Sequence, residues 1–312
     1  MKKKTIGIAA ALTIAVAVSA CSDKKPAETS SEISENTMIT AEETTAETTL
    51  ASETTETTET QPSAVGSQLD IYRVEDDGSR DLRSTEIYDE QGRIIYTASF
   101  KNNTIESEML YIYDGDELTT SQEKTYGQFN GDVTTSYSYS DGNLISETGH
   151  GDYVSDSSAS YSSDIETIYT YDNGKLVDKK TTRIDHEADD YKTVDRIEYS
   201  YDGDNVATES HYKTATNLDT EKLFFVITYE YDDEGRVISE INEMANSTNK
   251  AVKSYEYDDS GLLIRSETDA ESIGMNMVVE YQYDSEGRTT TVTTTTDDNG
   301  KTTVTVDEYE YL

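Results

Sequence analysis

The stretch Tyr229-Glu230-Tyr231-Asp232-Asp233-Glu234-Gly235-Arg236-Val237 decides the fold. Two tyrosines one residue apart share a face of a strand, because strand side chains alternate with a period of two. The Asp at the start of a turn bonds the backbone just ahead of it, and Gly supplies the positive φ that ends the turn. Asp232 to Gly235 therefore predicts a type I turn with a glycine bulge, a common hairpin connection. Val237 then begins the returning strand.

The same unit recurs along the chain. Its second tyrosines stand at Tyr88, Tyr113, Tyr139, Tyr171, Tyr201, Tyr231, Tyr257, Tyr283 and Tyr311, a period of 25 to 32 residues. A repeat in that range marks a repetitive architecture. Turn length varies, which makes register testable. Asp172-Asn173-Gly174-Lys175 is a two-residue Asn-Gly turn, so Tyr171 faces Leu176; the longer turn after Tyr231 places it opposite Val237. The same rule pairs Tyr88 with Ile94, Tyr113 with Leu118, Tyr139 with Leu144, Tyr201 with Val206 and Tyr257 with Leu263. Only Tyr283 meets a non-aliphatic, Thr289. Cross-strand aromatic–aliphatic pairs contribute roughly 0.2–1 kcal/mol each and fix register. The expected fold is all-β: a long antiparallel meander of about eight repeated hairpins over 69–312, about 18 strands in a curled or spiral sheet. Leu69 to Val74 begins it, and Lys301 to Leu312 follows the turn Asp297-Asp298-Asn299-Gly300.

Tyr-Asp-x-x-Gly-Arg followed by Val, Leu or Ile resembles the RHS/YD-repeat proteins, best at Tyr231 to Val237 and Tyr88 to Ile94. The resemblance covers the whole repeat region and implies hairpins wound into a spiral and display at a surface. Long members of that family enclose a toxin. The units at Tyr113, Tyr139 and Tyr201 lack the Arg and the full turn, and toxin delivery is not implied here.

The chain has 312 residues, one Cys, no Trp, 24 Tyr against 4 Phe, and 64 acidic against 25 basic residues, for a net charge of −39. One cysteine excludes an intramolecular disulfide framework, a Cys-based zinc site and a CxxC pair. The charge argues against nucleic acid and anionic membrane surfaces as direct partners. Met1 to Lys4 are basic and Thr5 to Val18 apolar, the n- and h-regions of a secretory signal over residues 1–20. Val18-Ser19-Ala20-Cys21 resembles the bacterial lipobox, which implies cleavage before Cys21 and a lipid thioether on it. The alternative is an ordinary signal peptide with a chance cysteine. Residues 21–68 hold no aromatic residue and are rich in Thr, Glu and Ser, the composition of a disordered tether. As a random coil it spans roughly 40 Å.

No GxSxG, HExxH, P-loop or GxGxxG occurs in 69–312, so the sequence predicts a non-enzymatic domain with no cofactor beyond the lipid on Cys21 and no specific metal. The Asp-Gly turns invite a calcium reading, but Asp bonding its own turn accounts for them, leaving at most weak, diffuse divalent-cation binding. His150, His186 and His211 lie apart in sequence and read as solvated. Tyrosines inside the Tyr-x-Tyr ladder read as packing. Those outside it, Tyr153, Tyr161, Tyr191 and Tyr212, are the candidate ligand contacts. They sit in or near the connections opposite the Asp-Gly turns, the longest of which is expected from Gly149 to Asp164. The expected function is a lipid-anchored binding or adhesion module on the extracytoplasmic face of the cell membrane, taking a cell-envelope or host glycan or a protein. A structural spacer is the alternative, and a paired-carboxylate hydrolase the distant third.

Overall fold

The computed structural model describes residues 65–127, 129–155, 159–188, 191–216 and 220–312. The signal segment, Cys21 and most of the tether lie outside the described residues.

Eighteen strands follow one another: β1 (Val65–Val74), β2 (Arg80–Asp89), β3 (Ile94–Lys101), β4 (Thr104–Asp114), β5 (Glu117–Thr125) and β6 (Phe129–Ser140). Then come β7 (Asn143–Ser155), β8 (Ser160–Asp172), β9 (Lys175–Asp185), β10 (Tyr191–Asp202), β11 (Asn205–Ala215) and β12 (Lys222–Tyr231). The last six are β13 (Val237–Met244), β14 (Lys250–Tyr257), β15 (Leu263–Ala270), β16 (Met275–Tyr283), β17 (Thr289–Asp298) and β18 (Lys301–Tyr311). Each strand pairs antiparallel with the next. The expected hairpin register is present at every turn: Tyr113 faces Leu118, Tyr171 faces Leu176, Tyr231 faces Val237 and Tyr283 faces Thr289.

The expectation of an open, curled or spiral meander is overturned by β1. That strand pairs on one side with β2, Leu69 facing Glu86, and on the other with β18, Leu69 facing Tyr311. The sheet therefore closes into an 18-stranded antiparallel barrel with no free edge. Closure requires tilted, staggered strands. The stagger is visible along one line of cross-strand partners: Glu86, Thr97, Met109, Glu123, Val133, Gly151, Ser163, Asp185, Tyr191. It starts three residues from an Asp-Gly turn and ends at the opposite rim. The first strand also begins at Val65, four residues before the expected boundary.

Coiling comes from a repeated irregularity. In each of the eight Asp-Gly hairpins the register shifts at the second tyrosine of the outgoing strand, as at Glu230/Tyr231 and Glu256/Tyr257. One extra residue, Ile238 or Ile264, is left on the returning strand. Such bulges increase local twist and bend the strand, and eight of them at one rim roll the sheet in one sense. The turns adopt the conformations their residues dictate. Asn173 and Asn299 carry positive φ of 50° and 53°, as a type I′ turn needs. Gly235 at 79° and Gly287 at 78° end the longer turns.

Along β8 the two faces separate cleanly. Ser163 and Thr167 are buried and Ile165, Tyr169 and Tyr171 half-buried, while Asp164, Glu166, Ile168 and Thr170 are exposed. The tyrosine face is the inner one. It holds no condensed apolar core: the buried apolar residues described on it are Leu69, Ile95 and Ala270, fewer than the buried Ser121, Ser163, Thr167 and Ser266. The ladder tyrosines instead close hydrogen bonds to neighbouring strands. Tyr113, Tyr171, Tyr201, Tyr231, Tyr257 and Tyr283 each donate from the phenol to the carbonyl of the aliphatic in the preceding hairpin, at 2.6–3.0 Å. The first tyrosines of three pairs, Tyr169, Tyr229 and Tyr255, donate to Glu147, Glu209 and Glu240.

Candidate functional site

The segment from Gly149 to Asp164 is not a long loop. β7 runs through Ser155 and β8 starts at Ser160, so most of it is sheet. Gly149 and Gly151 are poor strand formers by propensity; an aromatic ring covers Gly151, while Thr135 and Ile165 lie against Gly149. Tyr153 lies across the inner face so closely that a Cβ on Gly131 would sit 2.5 Å from its ring, and one on Gly151 2.8 Å from its hydroxyl. Tyr161 pairs directly across from Tyr153, with ring centroids 4.8 Å apart and planes 10° from parallel. Both rings are half-buried, and Arg183 adds a cation beside Tyr153.

The other two candidate tyrosines separate. Tyr191 opens β10 opposite Asp185, on the inner face two strands from Ser163. Tyr212 is a mid-strand residue of β11 on the outer face, not a loop residue. Its hydroxyl donates to Glu198 at 2.9 Å, and the Arg196 guanidinium lies 4.6 Å from its ring centroid. Arg196 also donates twice to Glu221, at 3.0 and 2.9 Å, and once to Asp178 at 2.8 Å. Glu221 beside it raises the already high pKa of the guanidinium, and Arg196 in turn lowers that of the Glu198 carboxyl. Tyr212 is held in an ion-pair network; Tyr153 and Tyr161 form the aromatic wall.

Sequence reasoning also missed a convergence of histidines. His150 on β7 and His186 after β9 meet on opposite oxygens of Asp164, at 2.7 and 3.0 Å, with Asp152 3.5 Å from His150. They are exposed but paired, not separately solvated. The hydrogen bond that His150 donates to Asp164, with the charge of Asp152 beside it, pushes the His150 pKa up; the two histidines pull that of Asp164 down. Among the described residues no group of three or more His, Cys, Asp or Glu has the geometry to hold a metal.

At the opposite rim the Asp-Gly turns share a clasp. Asp232 Oδ1 accepts from the backbone N–H of Glu234 and Arg236, and Oδ2 from Arg236 Nε at 2.6 Å. That guanidinium lies 4.8 Å from the ring centroid of Tyr257 in the next hairpin, and the Tyr257 phenol donates back to Val237 O at 2.8 Å. Asp89, Arg93 and Tyr113 repeat it, with Arg93 4.5 Å from the ring centroid. The Tyr-Asp-x-x-Gly-Arg signature thus encodes a contact between hairpins as well as a turn.

No protein-family model matches this chain, and no curated protein matches it in sequence. Solved structures that align with it include a porin-like protein from Bacteroides uniformis ATCC 8492, 14% identical over 78% of this chain and 97% of that one, with a TM-score of 0.39. A porin-like protein from Bacteroides vulgatus ATCC 8482 aligns at 13% identity over 77% and 96%, with a TM-score of 0.34. The TcdB2-TccC3-Cdc42 structure aligns over 72% of this chain but 15% of that one, at 12% identity and a TM-score of 0.25. At these scores the likenesses carry no argument about function.

Proposed function

We propose that the chain is a lipid-anchored, non-enzymatic binding module of the cell envelope. A lipid on Cys21 holds it on the extracytoplasmic face, and the barrel stands in water beyond the tether. The lipobox, and the position in it of the chain's one cysteine, support the anchor. The two faces of the sheet support the aqueous setting. A membrane-spanning barrel needs an outward apolar band about 25 Å tall, in which a midplane lysine or arginine costs about 2–4 kcal/mol. Here Arg196, Glu198, Glu256 and Arg265 occupy outer-face strand positions, and the inner face carries Glu147, Glu209 and Glu240 beside the tyrosines.

The stacked Tyr153–Tyr161 wall carries the binding reading. It lies inside a barrel whose strand number leaves room for water, near the rim opposite the Asp-Gly turns, with Ser163 and Arg183 beside it. Flat aromatic area next to polar groups suits a sugar ring, which offers an apolar C–H face and a polar edge; a cell-envelope or host glycan is the ligand class. The full chain on a glycan array, beside Tyr161→Ala, tests it. Glycan retention by the wild type, lost in a variant with an unchanged circular dichroism spectrum, is expected. Retention of no glycan by the wild type overturns the binding reading in favour of a structural spacer. Incorporation of labelled fatty acid by the wild type, absent in Cys21→Ala, tests the anchor independently.

A further inference from the structure

Four of the eight hairpin turns have the four-residue form beginning at Asp: Asp89, Asp232, Asp258 and Asp284. In three, the same turn supplies an Arg whose Nε donates to Oδ2 of that Asp at 2.6–2.7 Å. The guanidinium then reaches a tyrosine in the following unit, Arg93 at Tyr113, Arg236 at Tyr257 and Arg288 at Tyr311, with 4.5–4.9 Å to the ring centroid. In the fourth turn the residue at the Arg position is Leu262. The rest of the receptacle is in place. Asp258 Oδ1 accepts from the backbone N–H of Ser260 and Leu262, as in its sisters. Tyr283 donates its phenol to Leu263 O at 2.6 Å, which fixes the ring where a cation would lie against it. Among the described residues no cation reaches Asp258 Oδ2 or the Tyr283 ring.

The space is open. A cleft of about 670 Å³ lies between this turn and the next, lined by Asp258, Leu262, Ile264, Tyr283, Asp284 and Glu286 among others. Burial pushes all four phenols up, and a neighbouring guanidinium pulls back at Tyr113, Tyr257 and Tyr311 while none does at Tyr283.

We propose that the Asp258–Tyr283 cleft is a binding site for a guanidinium group, the arginine side chain of a partner polypeptide. The barrel itself supplies the template: the guest places its guanidinium between carboxylate and ring, as Arg93, Arg236 and Arg288 do from within the chain. Asp258 Oδ2 accepts from the guanidinium Nε, and Tyr283 offers the ring face that attracts a planar cation. Leu262 and Ile264 cover the methylene stem. The three sister turns all use Arg, whereas the lone ammonium clasp, Lys175 over Tyr201, belongs to a shorter turn. Guanidinium is therefore the preferred cation. This site is at the rim opposite the Tyr153–Tyr161 wall and does not depend on the glycan reading.

The test is calorimetric titration of the full chain with Nα-acetyl-L-argininamide and with its neutral citrulline counterpart, repeated on Leu262→Arg and Asp258→Asn. The wild type should bind the arginine compound at least tenfold more tightly than the citrulline one. Leu262→Arg fills the cleft from within, so it should lose binding at least tenfold and melt at a higher temperature; Asp258→Asn should lose binding as well. No heat with the wild type, equal affinity for citrulline, unchanged affinity in Leu262→Arg, or a lowered melting temperature of that variant would each overturn the proposal.

Discussion

Replacing Tyr257 separates the contributions to the hairpin clasp. The ring faces Leu263 across the hairpin, lies beneath the Arg236 guanidinium and closes a 2.8 Å hydrogen bond to Val237 O in the preceding hairpin. Tyr257→Phe removes only the hydroxyl and leaves that carbonyl short of a donor. A net hydrogen bond is worth about 0.5–1.5 kcal/mol, and a stranded acceptor up to about 3, so a loss of about 1–2 kcal/mol is expected. Tyr257→Ala also deletes the ring from a half-buried site, where large-to-small aromatic substitutions cost about 3–5 kcal/mol when fully buried. About 3 kcal/mol is expected in all. Glu256 is the control. Its side chain stands 58% exposed on the other face beside Arg265, and such surface substitutions stay within about 0.5 kcal/mol. Guanidinium chloride unfolding followed by far-ultraviolet circular dichroism measures all three at constant m. Equal midpoints for Tyr257→Ala and Glu256→Ala would show that the tyrosine face does not hold the barrel together.

Three further outcomes follow from particular contacts. Gly131→Val puts a side chain where the Tyr153 ring lies, so it should lower stability by about 1–3 kcal/mol; unchanged tyrosine near-ultraviolet dichroism would contradict the stacked arrangement. The His150 pKa is raised, so the stability it adds is fully present below the unfolded value near 6.5 and fades as pH rises through its folded midpoint; Asp164 is depressed, and its share fades as pH falls through its own. Proton NMR should place the His150 midpoint above 6.5 and return it toward that value in Asp164→Asn; equal midpoints in both proteins would dismiss the pairing. Burial and Glu209 push Tyr199 up to about 12, and burial likewise raises Tyr309 to about 12. Spectrophotometric titration should show the inner tyrosines ionising late, with stability lost as pH rises through that value; a single midpoint near 10 would mean that the inner face is wet throughout.

Register was legible in the sequence because its determinants are local. Turn length and the tyrosine–aliphatic pair lie within about ten residues of each other, and the rule held even at Tyr283 and Thr289. Closure was not legible. Leu69 and Tyr311 meet across almost the whole repeat region, and β1 carries no mark that distinguishes a strand with two partners from one at an edge. The span from Gly149 to Asp164 read as a loop because Gly, Asp and Ser are weak strand formers. A ring two residues along the same strand, that of Tyr153, fills the gap at Gly151 and the one at Gly131 across the pair. The histidine pair was hidden for a related reason: His150 and His186 lie on different hairpins, and only the sheet brings both to Asp164. The clasp was half legible. The Asp-Gly turn could be read, but that the following Arg serves the next hairpin as well as its own required the stacking of units.

The placement of β1 has a mechanical consequence. The described residues enter the barrel through β1, the strand that is paired both to β2 of the first hairpin and to β18, the last strand. Under the lipid-anchored reading proposed above, a pull from the N-terminal side is directed along β1, while its ladder hydrogen bonds run across it. Both seams are then loaded in shear, many bonds at once, instead of being peeled open one bond at a time from an edge. β18, the other strand at the closure, is itself held by β17 on its far side. A pull at the N-terminal end of β1 should therefore be resisted by both of its ladders, and the force needed to extract β1 should far exceed that needed to unzip any single hairpin pulled from its turn.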